Sequence, residues 1–111
     1  MKEIKAVVKP TRIAAVLQVL KSVAERSSSK GACQHIAVSQ VVHPLTPRDH
    51  GQPQYSMELA EPVLAYYRVE FVCTDDTVMP VVASIKKAAY TGQPDAGWIV
   101  VTETHAIEHI S

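Results

Sequence analysis

The residues with the clearest capacity for chemistry lie in Ala88 to Val101, AAYTGQPDAGWIVV. An apolar helical run there ends in the turn Gly92-Gln93-Pro94-Asp95-Ala96-Gly97, and a β-branched run starts at once at Trp98. Gly92 and Gly97 can each take positive φ, and Pro94 stops the helix from continuing. A loop of this kind can present several backbone N–H groups in one concavity, which is how backbone cradles an anion. A plain connection built from good turn residues accounts for the same pattern. The five histidines, His35, His43, His50, His105 and His109, raise metal binding. His105 and His109 fall on one face of an extended segment but roughly 13 Å apart, too far to share an ion. Scattered histidines on a neutral chain read as surface or core residues, so no metal is expected. Neither a serine nor a cysteine stands beside a base in a recognisable nucleophile setting, and Asp75-Asp76 reads as the start of a helix, so no enzyme is expected.

The chain has 111 residues, a formal net charge of zero, 47% hydrophobic and 20% charged residues. That length suits a single domain over residues 1–111 with one core. The charge balance argues against a polybasic nucleic-acid or membrane-surface binder. No apolar run approaches the ~20 residues that cross a bilayer, and the opening MKEIKAVVKP lacks the long apolar segment of an export signal, which predicts a cytoplasmic protein. Cys33 and Cys73 are then expected to be reduced. Cys73 lies in an apolar strand and reads as core, whereas Cys33 reads as a loop thiol.

The elements that must position the turn follow from periodicity. Ile4 to Lys9 reads as a strand with Ile4, Ala6 and Val8 on one face and Lys5 and Val7 on the other. Pro10 ends it, and Thr11 is the candidate cap of a helix carrying Ile13, Val16, Leu17, Leu20 and Val23 inward. The polar run from Glu25 to Gly31 reads as a loop, and His35 to Val42 as the second strand. His43 to Glu61 breaks all periodicity, with three prolines, and is either a mobile excursion or a hairpin arm; its prolines argue against regular pairing across its base. From Pro62 to Cys73 extended structure returns, with Tyr67, Val69, Phe71 and Cys73 on one face. Val78, Val81, Val82, Ile85, Ala88 and Ala89 form the stripe of a second helix, Trp98 to Val101 a long strand, and Ala106 to Ile110 a short last one. The fold class is therefore α+β, a ferredoxin-like βαββαβ sandwich with a long loop between strands 2 and 3. Val7, Ala37 and Val41 leave a second apolar sheet face, which predicts oligomerisation.

Taken together, MKEIKAVVKP, the helix that follows, the long loop with a central tyrosine, RVEFVCTDD and AAYTGQPDAGWIVV resemble the PII signal-transduction family. The likeness covers both ends of the chain and lapses between Ser27 and Glu61. It implies a homotrimer with effector sites in clefts between subunits, and a flexible loop of about residues 43–61, the T-loop, that docks on a target membrane transporter or metabolic enzyme. Carried over by position, the resemblance implies nucleotide contacts at Ala37, His43, Pro44, Leu45, Val72, Gly92, Asp95, Ala96, Gly97, Trp98 and His109. Partner contacts fall at His50, Gln54 and Tyr55, with Tyr55 read as an exposed, unmodified tyrosine because Gln54 and Ser56 do not match the flanks of modified ones.

The departures bear on the ligand. Where PII proteins read TGKxGDGK, this chain has TGQPDAGW, so Gln93 and Trp98 replace lysines and Asp95 a glycine. Two arginines of the family fall on His109 and Ser111. Each lost cation forfeits a charge-assisted bond of about 1.5–3 kcal/mol. A Gly-Phe-Gly-Arg-Gln stretch falls on His43-Pro44-Leu45-Thr46-Pro47, so the glutamine that holds Mg²⁺ is missing and 2-oxoglutarate sensing is not expected. The expected effector is an adenine nucleotide, AMP or ADP rather than ATP, with a small anion such as bicarbonate. Trp98 either occludes the phosphate position or forms a wall against a less charged ligand. The alternative is a CutA-like trimeric metal-binding or stress protein that binds no nucleotide.

Overall fold

A computed structural model describes residues 1–26, 32–47, 49 and 51–111. Strand β1 (Lys2–Val8) leads through a 3₁₀ turn at Pro10–Arg12 into helix α1 (Ile13–Arg26), followed by strands β2 (Cys33–Pro44), β3 (Gln54–Ser56) and β4 (Glu61–Cys73). A second 3₁₀ turn at Asp75–Thr77 opens helix α2 (Val78–Ala88), and β5 (Trp98–Glu103) completes the sheet. The architecture is α+β, an open sheet of antiparallel strands in the order β2-β4-β1-β5 with β3 added beside β4. It is compatible with the expected ferredoxin-like sandwich. No helix among the described residues is long and apolar enough to cross a membrane.

Strand alternation separates two unequal faces. Ile4, Ala6 and Val8 of β1 and Val69, Phe71 and Cys73 of β4 meet Val16 and Leu20 of α1 and Val81 and Ile85 of α2, all at most 2% exposed. This is the helix-covered core, read from period-2 and period-3.6 spacing. On the open face Val7, Leu64 and Tyr66 form a smaller buried cluster with Val41 packed on it. Beyond it that face mixes charged residues with apolar ones such as Val72 and Val100, with Arg68 Nε 2.7 Å from Glu70 and Lys5 Nζ 3.6 Å from Glu3. The buried part of that face is thus confined to one end of the sheet, and Ala37, opposite Glu70, lies outside that cluster.

Several expectations are corrected. Thr11 does not cap α1; Pro10 starts a 3₁₀ turn held by Arg12 N–H donating to Lys9 C=O at 2.9 Å, with no side-chain cap bond. Glu25 and Arg26 belong to α1, and residues 27–31 of the expected loop lie outside the described residues. Cys33 is no loop thiol but the first residue of β2, buried opposite Cys73. The final strand at Ala106–Ile110 is absent, since residues 104–111 adopt neither helix nor strand. The reason is the register: Lys2 pairs with Glu103, so β1 offers no further rungs beyond the bond from Thr104 N–H to Met1 C=O.

The long segment is also more regular than its prolines suggested. Pro44 is the last residue of β2 and Pro62 the second of β4, and Leu45 N–H donates to Pro62 C=O at 3.1 Å across the base. Val63 pairs with both Pro44 and Gln54, so β3 takes the edge of β4 that β1 vacates beyond Tyr67. The described part of the segment forms a hairpin, with β3 and β4 joined by a turn at 57–60. Because the two clusters lie on opposite sides of one sheet, truncations should separate them. Phe71→Ala should cost about 3–5 kcal/mol by urea unfolding, whereas Val100→Ala on the half-exposed open face should cost well under half of that.

Candidate functional site

The turn after α2 is built by three local devices. Gly92 sits at φ 83°, and Asp95 also takes the left-handed region at φ 54°. Gly97 needs no positive φ; it is required because a side chain there would run into the backbone carbonyl of Val7, so the turn lies directly on β1. Thr91 Oγ1 accepts a bond from Gln93 N–H at 3.2 Å, which ties up one of the turn amides.

Two clefts flank this turn. The first, about 550 Å³, runs between the C-terminal half of α2 and the ends of β1 and β5, with Ile85, Lys86, Tyr90, Ala96, Gly97 and Trp98 in its wall. The second, also about 550 Å³, lies between the 3₁₀ turn after β1 and the hairpin arm, with Lys9, Arg12, Gly51, Gln52 and Gln54. Thr91 and Gln93 line both, so Gln93 stands on the wall between them. Lys86 supplies a cation to the first cleft and Lys9 and Arg12 to the second. Lys9 Nζ lies 4.5 Å from the Tyr66 ring centroid and 3.4 Å from its hydroxyl, so its charge rests on an aromatic face.

Around the turn the sheet assembles an aromatic cluster. The ring of His43 is 5.0 Å from that of Trp98 and 5.3 Å from that of Tyr66, both nearly perpendicular, and Tyr66 is 5.6 Å from Trp98. Trp98 remains 42% exposed. The buried Nε2 of His43 has no hydrogen-bond partner among the described residues. Nearby, Asp49 accepts from Thr46 N–H at 2.6 Å and from its hydroxyl at 2.9 Å. Those bonds hold the Asp49 carboxyl below its usual range, the backbone bond contributing most.

Of the residues implied as nucleotide contacts, the fold gathers His43, Pro44, Leu45 and the turn residues Gly92, Asp95, Ala96, Gly97 and Trp98 toward one end of the sheet. Ala37, Val72 and His109 are elsewhere. Val72 pairs with Glu3 and Gln34, four residues along β4 from Arg68, which shares a row with Val7 and Trp98. That is roughly 13 Å at strand rise. The His109 ring contacts that of His35, centroids 5.9 Å apart, where the bulge between Gln34 and Ala37 gives His35 a φ of 58°. His105 and His109 are therefore not on one strand face as expected. Among the described residues no group of three or more His, Cys, Asp or Glu side chains is placed to hold a metal ion.

Gln54 and Tyr55 are on β3, with Tyr55 63% exposed, and His50 lies outside the described residues. Tyr66, Lys9, Arg12 and Tyr90 were missed as site residues by sequence reasoning. Alternation alone could have flagged Tyr66, since it falls opposite in phase to Tyr67 and Val69. The cations flanking Pro10 gave a weaker signal.

The backbone contact of Gly97 has a direct consequence. Gly97→Ala should destabilise the protein by about 1–3 kcal/mol in urea titrations, because the obstacle is a rigid β1 carbonyl, whereas Ala96→Gly should cost less. Compared with known proteins, the sequence matches no family profile and no characterised protein at a level that shows kinship.

Proposed function

We propose that the chain is a PII-like regulatory protein, not itself an enzyme, that senses AMP or ADP together with a small anion such as bicarbonate. The observation that carries this reading is the composition of the paired clefts. An aromatic wall at Trp98 adjoins a glycine-bounded turn, and the nearby cations, Lys86, Lys9 and Arg12, come from other elements. An indole offers stacking area and one N–H donor but no charge. Such a site suits a base and one or two phosphates better than a triphosphate.

A ferredoxin-like topology and a homotrimer belong to the same proposal. The strand order with both helices on one face supports the topology. The separation of Val72, Ala37 and His109 from the turn supports a site completed only between subunits, where one chain's far end meets the next chain's turn. On the open face Trp98 and Val100 remain 42% and 44% exposed and supply apolar area for that contact, and burying apolar surface at ~25 cal/mol per Å² favours association. The hairpin arm, with Tyr55, Met57 and Leu59 exposed, is the proposed docking element for a membrane transporter or metabolic enzyme.

Light scattering should give the mass of three chains at micromolar concentration; a stable monomer would remove the subunit-cleft site. Titration with AMP, ADP and ATP, each with and without bicarbonate, should change Trp98 fluorescence and release heat for AMP or ADP more than for ATP. Trp98→Lys should improve ATP binding by about ten- to a hundredfold, the worth of one charge-assisted bond. Arg12→Ala should weaken the anion contribution by about tenfold. Flat fluorescence with no heat for any adenine nucleotide would sink the reading.

A further inference from the structure

Cys33 and Cys73, the two cysteines of the chain, are direct cross-strand partners in the β2–β4 ladder. The hydrogen-bond phase of that ladder is set by the next rung. Thr74 N–H donates to Ala32 C=O at 3.2 Å, so Ala32 and Thr74 form the hydrogen-bonded pair. Cys33 and Cys73 are then a non-hydrogen-bonded pair, the kind in which Cα atoms approach to about 4.5 Å and side chains are closest. That separation lies inside the range of about 4.4–6.8 Å that a disulfide spans. Both side chains also point to the same side, since both belong to the helix-covered core, Cys73 fully buried and Cys33 at 9% exposure.

We propose that Cys33 and Cys73 are a reversible oxidation site that closes to an intramolecular disulfide, tying the start of β2 to the end of β4. The oxidant class is a small-molecule disulfide such as oxidised glutathione. Cys33, the more exposed thiol, attacks as thiolate and releases one glutathione thiol, leaving a mixed disulfide. The Cys73 thiolate then attacks the Cys33 sulfur and releases the second glutathione. Two protein S–H bonds are lost and one S–S bond forms, while the oxidant takes two electrons and the two protons as two thiols.

Burial sets the speed of this step. Desolvation pushes the Cys33 thiol up to about 11, with the neighbouring Cys73 adding to it, and burial raises Cys73 as well. Thiolate is therefore scarce at neutral pH, and exchange should quicken by up to about tenfold per pH unit below those values. The loop closed by the bond contains the whole of the hairpin arm. Closure restricts the unfolded chain without touching the arm's own contacts, so oxidation should act on stability. The register shift begins just past Gln34, so the tie falls on the last regular rungs before the bulge.

The folded protein is incubated with oxidised glutathione at about pH 7 and about pH 9, alkylated, and analysed by intact mass and by peptide mapping without reduction. The expected result is loss of the mass of two hydrogens, no alkylation, one linked peptide pair containing Cys33 and Cys73, and faster closure at the higher pH. The thermal midpoint should rise by several degrees and return on addition of dithiothreitol. Neither variant should form the link: Cys73→Ala should stop at a glutathione adduct on Cys33, and Cys33→Ser should leave the buried Cys73 thiol unmodified. Two alkylated thiols after treatment, a persistent glutathione adduct on the unsubstituted protein, or a bond joining two chains would each overturn the proposal. The unsubstituted protein decides the matter even where a variant does not fold.

Discussion

The pairing of β4 with its neighbours is the constraint on which the rest of the molecule depends. β2 follows β4 over almost its full length on one edge, while β1 and then β3 share the other. Since side chains alternate along a strand, this one element contributes to everything else. Val69, Phe71 and Cys73 hold the two helices, and Leu64 and Tyr66 form the floor of the open-face cluster. A one-residue slip in its register would put Arg68 and Glu70 into the helix core, a cost that fixes the register strongly.

The turn after α2 is placed by the same sheet. Its close approach to the Val7 carbonyl sets Gly97 against β1, and β5 then starts in register with β1 at Trp98. Trp98 thereby joins Tyr66 of β4 and His43 of β2, residues from three strands meeting on one face. The cations missing from the turn stand instead on the segment after β1 and at the end of α2. On the proposed reading, the lower charge of the site selects ligands with fewer phosphates.

The arm and the turn are linked through the second cleft, where Gly51, Gln52 and Gln54 face Lys9, Arg12 and Gln93. A ligand held there would touch both the turn and the arm. It could stabilise one arm position only by binding it better than the others. This is the physical content that a sensing role for the arm requires.

The sequence by itself determined the two amphipathic helices and the strand alternation. Each is a local pattern repeated over enough residues to exceed chance, as with Val16 and Leu20 or Val69, Phe71 and Cys73. It also marked the turn, although it assigned Gly97 to backbone freedom when the real cause is the Val7 carbonyl, a contact between residues ninety positions apart. Only the tertiary structure decided that Lys9 and Arg12 face the turn, that His109 meets His35 instead, and that residues 104–111 have no strand to pair with. Those outcomes depend on which strands are neighbours and where each one ends, which no window of local sequence contains. The same holds for Cys33, which local sequence left in a loop. Its place opposite Cys73 follows from the register of β2 on β4, and that register is a property of the assembled sheet.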